Sequence, residues 1–247
     1  MRLVPCLDAL WAEEEGGIYE QISVVKMAGY SAVEIWDWRG KDLMALEGSS
    51  LELVAMSGNT FDEPLVDPQG GEKACSRILQ SFEVAHKLGC RKLVIHAGYR
   101  LPHLEVEEQR TNMMELLCRI ASLDRSITLL IEPLNTIDHP GYFLDSLPEA
   151  ITIIREVGEP NVRLLLDCYH VQMLHGEVAP YLDEAVPFTA HVHIADVPGR
   201  GEPGTGTMNY PVLLGQIEGR GYDGDVGLEF WTPDPLGSLL RVKGLIP

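Results

Sequence analysis

The chain has 247 residues, of which 45% are apolar and 23% charged, as is usual for a soluble globular protein with a sizeable core. Its net charge of −18 repels phosphate backbones and anionic lipid surfaces, which argues against nucleic-acid and membrane partners. It has no apolar stretch of about 18 residues, no signal peptide at its start and no C-x-x-C pair among its five cysteines, so we expect reduced thiols and a cytoplasmic protein.

Eight short apolar runs alternate with longer amphipathic segments along the chain. Runs such as KLVIH, TLLIE and VRLLLD suit parallel strands that are buried on both faces of a sheet. Eight β/α units without a break in composition favour an α/β fold with one closed (β/α)₈ TIM barrel, predicted to span residues 1–247, over an open doubly wound sheet. The predicted strands are Leu3–Cys6, Ala32–Trp36, Leu51–Ser57, Lys92–His96, Thr128–Glu132, Val162–Asp167, Thr189–Ala195 and Asp225–Phe230.

Helical patterns fill the segments between these runs. In Glu72–Leu88, apolar residues recur at steps of three and four, and Gly89 follows as a stop signal. Ser146 stands where a helix N-cap is expected, before Leu-Pro-Glu. After the eighth strand, the segment DPLGSLLRVKGLIP leaves room for only a small closing helix.

Four predicted strands in succession carry a metal-ligand side chain at or near their carboxyl ends: Glu132, Asp167, His193 and Glu229. They lie about one β/α unit of roughly 30 residues apart, so all four should reach the same rim of the barrel, where such folds place their active sites. Three crowded carboxylates repel one another without a cation. Oxygen ligands with one imidazole favour Mn²⁺ or Mg²⁺, with Co²⁺ as a further candidate in vitro.

The segments IEPLNTIDHPGYFL, LLLDCYHVQ and HVHIADVPGRGEPGTGTMNYPVLL resemble the hydroxypyruvate isomerase family of xylose isomerase-like barrels, which also include ketose 3-epimerases and endonuclease IV. The resemblance covers roughly residues 128–231 and implies that the four residues above hold the metal and that Glu132 and Glu229 also act as an acid–base pair. Hydroxypyruvate isomerases often have Gln where this chain has His193, whereas the epimerases have His. The segment AMSGNTFDEPLVDP also departs from the family pattern, so the sequence leaves the substrate open.

This site suggests a concrete reaction, an isomerisation of the aldose–ketose type. An α-hydroxy carbonyl compound, a small hydroxy-keto acid or a sugar, would chelate the metal through both oxygens, and the metal would acidify the neighbouring C–H bond. One glutamate would take the proton to give a cis-enediolate, and the other would return a proton. Delivery to the adjacent carbon gives isomerisation, and delivery to the opposite face gives epimerisation, as in a ketose 3-epimerase. A hydride shift between carbons is the other route to the same product.

Further residues near strand ends are candidates for substrate binding. His170 could donate to a substrate hydroxyl or cap the next helix, and His96 could contact substrate or pack in the core. Arg200, in a glycine-rich loop, could clamp a carboxylate or lie solvated in a surface turn. Glu34 and Trp36 follow strand two together with Trp38, where aromatic rings pack on sugar carbons or on neighbouring segments. The remaining histidines are interpreted as ordinary: His86, His103, His139, His175 and His191.

Two other classes of function remain to be weighed. An endonuclease IV-like phosphodiesterase would need more zinc ligands, at places where this chain has Ser57-Gly58 and Arg200-Gly-Glu202, and its substrate would meet an acidic protein. A barrel that binds a sugar without turnover would not need both Glu132 and Glu229. We therefore expect an isomerase with a small-molecule partner, and the sequence leaves homo-oligomerisation open.

Overall fold

The computed structural model describes residues 1–12, 17–68 and 71–245 and contains one sheet of eight strands. The strand order is β1-β8-β7-β6-β5-β4-β3-β2, every neighbouring pair is parallel, and a parallel bridge between Cys6 and Glu34 joins the two ends of the sheet. The predicted (β/α)₈ TIM barrel is therefore confirmed. The strands are β1 (Arg2–Pro5), β2 (Ala32–Glu34), β3 (Glu52–Ser57), β4 (Lys92–Ile95), β5 (Thr128–Ile131), β6 (Val162–Asp167), β7 (Thr189–Ile194) and β8 (Asp225–Leu228).

Helices surround the sheet, and the model confirms the predicted helix signals. Ser146 caps its helix by accepting from the Glu149 backbone N–H at 3.4 Å, and the closing helix has only eight residues. None of the helices in the described segments has the length and apolar character needed to cross a bilayer. The α-helices are α1 (Leu7–Leu10), α2 (Ile18–Met27), α3 (Leu43–Glu47), α4 (Gly71–Leu88), α5 (Val106–Leu123), α6 (Leu147–Val157), α7 (Cys168–His175), α8 (Leu182–Ala185), α9 (Tyr210–Glu218) and α10 (Pro235–Val242), with 3₁₀ turns at Ala179–Tyr181, Val186–Phe188 and Lys243–Leu245.

Several predicted strands extend one or two residues too far at their carboxyl ends. The prediction for β5 included Glu132, and the one for β4 included His96, but the paired strands end at Ile131 and Ile95. The extra residues continue the alternation of side chains while their backbones leave the ladder, because the chain turns into the loop there. The sixth strand, Val162–Asp167, was predicted with the observed bounds.

Alternation along the strands divides the core into two layers and positions the site. Leu129 and Ile131 belong to the large cluster packed against the helices, whereas Leu130 packs with Val94 and Leu165 in a separate cluster inside the barrel. Residues two positions beyond these inner side chains share their face of the sheet. Glu132 follows Leu130 in this way, so the sequence period itself brings its carboxylate to the barrel mouth.

Candidate active site

A cavity of about 240 Å³ lies at the carboxyl ends of the strands. It is smaller than the roughly 300–1,000 Å³ of pockets for drug-sized ligands, which favours a small metabolite. Val94 forms part of its floor, and Phe61 and Leu134 form part of its apolar wall. Of the nine predicted site residues, Asp167 is buried behind the cavity wall. The other eight line the cavity: Glu34, Trp36, His96, Glu132, His170, His193, Arg200 and Glu229.

Glu132, Asp167, His193 and Glu229 converge in the structure, and we call these four residues the cation cluster. One ligand-type atom from each lies within 4.8 Å of those of the others, and all four side chains are buried. Asp167 and His193 are directly opposite each other in the β6–β7 ladder. His193 Nδ1 lies 3.1 Å from Glu229 Oε2 and 3.9 Å from Glu132 Oε1, so Nδ1 is the imidazole nitrogen that faces the carboxylates.

The two oxygens of Asp167 are in different environments. Oδ1 caps α7 by accepting from the backbone N–H groups of Tyr169 at 2.7 Å and His170 at 3.2 Å. Oδ2 faces the cavity side, 3.7 Å from Arg200 Nη2 and 3.7 Å from His170 Nε2. The cap therefore fixes the carboxylate and leaves one oxygen for a cation. His170 was considered as a possible cap for this helix, but that role belongs to Asp167, which precedes the first turn.

The cluster separates its carboxyl groups electrostatically. Burial, reinforced by the charge of Glu229, raises the pKa of Glu132 well above its ordinary value. Burial also raises the pKa of Asp167 to about 6, although Arg200 opposes this. Burial alone would raise the pKa of Glu229 too, but Arg200 and His193 hold it well below the ordinary value. The positive charge of Arg200 and His193 is therefore too small to keep all three buried carboxyl groups ionised.

The donor set fits a divalent metal ion. Three carboxylates and one imidazole suit a hard or borderline cation such as Mg²⁺ or Mn²⁺, and a cation would relieve the crowding that raises the pKa values of Glu132 and Asp167. A second group of ligand-type residues shares His193 and adds Glu34 and His191.

Arg200 is buried, so the interpretation as a solvated surface turn is wrong. Its Nη2 donates to Glu229 Oε2, and its guanidinium lies over the Tyr169 ring at 5.4 Å. The backbone of Arg200 is in the left-handed region (φ +56°), and its carbonyl accepts from Trp231 N at 2.8 Å. Its Nε is buried without a hydrogen-bond partner in the described structure, which leaves a donor available to a ligand.

The loop that carries Arg200 is organised by Asp196. Its Oδ2 accepts from Gly204 N at 2.7 Å, and its Oδ1 accepts from the backbone N–H groups of Val197 at 2.9 Å and Met208 at 3.0 Å. Asp196 is itself fully buried and lies two residues after the end of β7. The long motif AD-x-PGR-x-EPGTG therefore has a physical explanation, because its aspartate folds the loop that turns Arg200 inward.

His170 is held as a hydrogen-bond donor toward the site. Its Nδ1 accepts from the Asn135 backbone N–H at 3.2 Å and from Asn135 Nδ2 at 2.8 Å, so a neutral ring carries its proton on Nε2. Burial, with the charge of Arg200, lowers the pKa of His170 well below the ordinary value. Its Nε2 has no hydrogen-bond partner among the described residues.

Of the remaining predicted residues, some line the cavity and one packs outside it. Trp36 Nε1 donates to Glu229 Oε1 at 2.5 Å, so this ring orients a member of the cation cluster as well as lining the cavity. Trp38 instead donates to Ser81 Oγ at 2.9 Å and packs away from the cavity. His96 lines the cavity with Nε2 3.3 Å from Ser57 Oγ and its ring against Phe61.

Two histidines interpreted as ordinary belong to the site region. His139 lines the cavity and stacks on Phe61 at 5.3 Å between ring centroids. His191 is fully buried, and its Nε2 lies 2.7 Å from Glu34 Oε2. The spacing His191-x-His193 is a signal that could have identified the second of these, because residues two apart on a strand share a face.

A family model described as xylose isomerase-like TIM barrel matches residues 22–242. The chain belongs to this family. A Streptomyces coelicolor relative with the inferred name hydroxypyruvate isomerase is 33% identical over 242 residues, which cover 88% of this chain and 86% of that one. The 2-oxo-tetronate isomerase of Cupriavidus necator is 36% identical over 153 residues, which cover 61% of this chain and only 59% of the relative's length.

A solved structure of similar shape is named as an AP endonuclease, family 2, from Brucella melitensis. It is 26% identical, covers 98% of both chains and has a TM-score of 0.86. The family model and the two isomerase relatives confirm the predicted hydroxypyruvate isomerase family among the xylose isomerase-like barrels. They also confirm the predicted class of enzyme, an isomerase.

Proposed function

We propose that the chain is a divalent-metal-dependent isomerase of a small hydroxy-keto acid, hydroxypyruvate isomerase-like, with a ketose or related sugar as the alternative substrate. One observation carries the proposal: the cation cluster and the guanidinium of Arg200 meet in one small cavity, joined through Glu229. The names of the relatives describe 2-oxo acids, which carry the carboxylate that an arginine recognises.

Residues of the cavity would divide the work of binding. The cation cluster would hold the metal, which when bound supplies a Lewis acid for an α-hydroxy carbonyl group. Arg200 would pair with the substrate carboxylate through its free Nε edge, and His170 would donate from Nε2 to a substrate oxygen. Of the described residues that line the cavity, Arg200 alone carries a permanent positive charge, so it is the site for an anionic group.

Glu132 and Glu229 would move the protons. Both line the cavity, and in the metal-free protein their environments already push their pKa values in opposite directions. One glutamate would take a proton from carbon to give the cis-enediolate, and the other would return a proton to the neighbouring carbon. The proton of the original hydroxyl group would move to the former carbonyl oxygen, which completes the isomerisation. Phe61, Leu134 and Trp36 form an apolar wall that would flank this intermediate.

A ketose 3-epimerase would share the first proton transfer and differ in where the second proton lands. A buried guanidinium pairs more strongly with a carboxylate than with a neutral sugar hydroxyl, so the position of Arg200 favours the keto acid. A panel of C3–C6 hydroxy-keto acids and ketoses, incubated in D₂O with Mn²⁺ or Mg²⁺ and followed by NMR, tests this choice. We expect turnover and deuterium uptake with a keto acid. Turnover of ketoses alone would transfer the proposal to an epimerase.

A phosphodiesterase, which the name of the Brucella protein suggests, remains an alternative with a clear signature. Such an enzyme would need additional metal ligands and would have to attract a polyanion, whereas this chain carries a net charge of −18. Metal analysis of the purified protein tests this: one ion per chain supports the isomerase, and three would favour the phosphodiesterase.

The acid–base pair has its own test in Glu132→Gln and Glu229→Gln. Each change keeps a metal-ligating oxygen and removes a base, and general acid–base catalysis contributes roughly 10²–10⁴-fold, so kcat should fall at least that much in each variant. One variant should still exchange the substrate C–H with D₂O, and the other should exchange nothing. Glu149→Gln on the outer helix α6 is the control and should retain activity.

The proton-transfer mechanism is wrong if neither glutamine variant loses more than about tenfold in kcat. Product that contains no solvent deuterium would then indicate a hydride shift between carbons.

A further inference from the structure

A chain of polar side chains crosses the barrel interior behind the cation cluster. It begins with Glu34 at the end of β2 and continues to His191, whose Nε2 lies 2.7 Å from Glu34 Oε2. His191 Nδ1 lies 3.4 Å from Lys92 Nζ, which also donates to Asp225 Oδ2 at 3.0 Å. Arg2 Nε donates to the other oxygen of Asp225 at 2.7 Å. Lys92, Asp225 and Arg2 begin β4, β8 and β1, so the chain connects the catalytic end of the barrel with its opposite end.

This connection fixes the orientation of His191. A lysine ammonium group has only donors, so His191 Nδ1 must accept from Lys92, and the neutral ring then carries its proton on Nε2. His191 therefore donates to Glu34 Oε2. The carboxylate of Glu34 is held on that side and presents its second oxygen, Oε1, to the neighbouring imidazole of His193.

His193 lies between two sets of carboxylates. Its Nδ1 faces the cation cluster, and its Nε2 lies 3.2 Å from Glu34 Oε1. Among the described residues, neither Nε2 nor Glu34 Oε1 has a partner with good hydrogen-bond geometry, and both atoms are buried. A buried carboxylate against the outer nitrogen of a ligating histidine is the arrangement that fixes tautomer and ring orientation at metal sites.

The barrel makes space for this contact at Gly227. This residue lies opposite His193 in the β7–β8 ladder, and a Cβ added there would collide with Glu34 Oε1 and lie 2.5 Å from His193 Cδ2. Any larger residue would therefore displace the carboxylate or the ring. Gly227 and the Glu34–His193 contact therefore form one packing arrangement.

We infer that Glu34 is a positioning residue for the metal site: it holds the His193 ring so that Nδ1 faces the three carboxylates of the cation cluster. This inference rests on the proposed function, because it needs a metal at the cluster. The predicted substrate-binding role of Glu34, which also lines the cavity, stays a prediction beside it. His191 and Lys92 in turn hold the Glu34 carboxylate in place.

Binding of Mn²⁺ alone to the chelator-treated protein, measured by calorimetry, tests the inference without turnover. Glu34→Gln should raise the Kd for Mn²⁺ about 10–100-fold, the usual cost of losing such an outer partner. Gly227→Ala, which keeps every charge, should raise it in the same direction and gives an independent measurement if the first variant does not fold. The visible spectrum of the Co²⁺-loaded protein should change in both variants, because it reports imidazole coordination.

Glu63→Gln is the matched control, since Glu63 is equally buried and pairs with Arg77 outside the cation cluster. Its Kd should stay within about twofold of the wild-type value. Wild-type Kd and Co²⁺ spectrum in Glu34→Gln would overturn the inference while the proposed function stands. Two ions per wild-type chain would also overturn it, because Glu34, His191 and His193 would then be ligands of a second metal. A wild-type protein that binds no metal would refute the proposed function itself.

Discussion

His96 should make the fold sensitive to mild acid. Burial, together with the nearby His139, lowers its pKa to about 4. Its Nδ1 is buried and has no hydrogen-bond partner in the described part of the chain, and the Phe61 ring lies 4.4 Å away between centroids. In the unfolded chain a histidine titrates near 6.5. The unfolded state therefore takes up the proton first, and the stability that His96 contributes is complete above about pH 6.5 and is lost as the pH falls toward 4.

The size of this effect follows from the two pKa values. Between pH 7 and pH 5, a shift from 6.5 to about 4 corresponds to a loss of about 2 kcal/mol in the free energy of unfolding. The cavity edge of the His96 ring is partly exposed, and water there screens part of the shift, so we expect a loss of about 1–2 kcal/mol. For a protein of this length, that lowers the melting temperature by about 2–8 °C.

Thermal unfolding of the metal-free protein at pH 7, 6 and 5, followed by circular dichroism, measures the effect. His96→Gln removes the titrating group, so its melting temperature should fall by about 2–8 °C less than that of the wild type over this range. His103→Gln, at an exposed position before α5, is the control and should follow the wild type. Parallel curves for His96→Gln and the wild type would refute the argument from burial.

Two further predictions concern the cation cluster and its neighbouring cation. Asp167→Ala should lose the bound metal. Asp167→Asn keeps an oxygen that can cap α7, so it should weaken metal binding with a smaller loss of stability. Unchanged metal content in both variants would show that Asp167 is not a metal ligand. Arg200→Lys should raise KM for a keto-acid substrate, because lysine lacks the planar fork, whereas an unchanged kcat/KM in Arg200→Ala would favour a neutral sugar.

Much of the barrel could be predicted because its strands have a simple local pattern. Val162–Asp167 and Thr128–Ile131 are mostly apolar runs between turn signals, and such runs are typical of strands that are buried on both faces. The positions of Glu132 and Asp167 followed from the same pattern, because side chains alternate between the two faces up to the end of a strand and, for Glu132, one residue beyond it. The exact strand ends depend on which backbone groups find a partner on the neighbouring strand, and the sequence does not contain that information.

The supporting interactions of the site could not be predicted in the same way. Glu34 reaches His191 and His193 across a barrel that closes only when β1 and β2 come together. Arg200 is buried because Asp196 folds its loop, and a glycine-rich segment by itself is equally compatible with a solvated turn. These interactions join residues from distant parts of the chain, and residue type and spacing along one strand do not determine them.

Arg200 connects the architecture of the barrel with its chemistry. Its guanidinium pairs with Glu229 rather than Glu132, and with His193 it holds the pKa of Glu229 well below its ordinary value while that of Glu132 is raised. In the proposed function, a pair of glutamates that exchanges protons with substrate acts as one acid and one base. The left-handed turn after β7 would then serve two purposes, since the cation that lowers the pKa of Glu229 is also the group proposed to bind a substrate carboxylate.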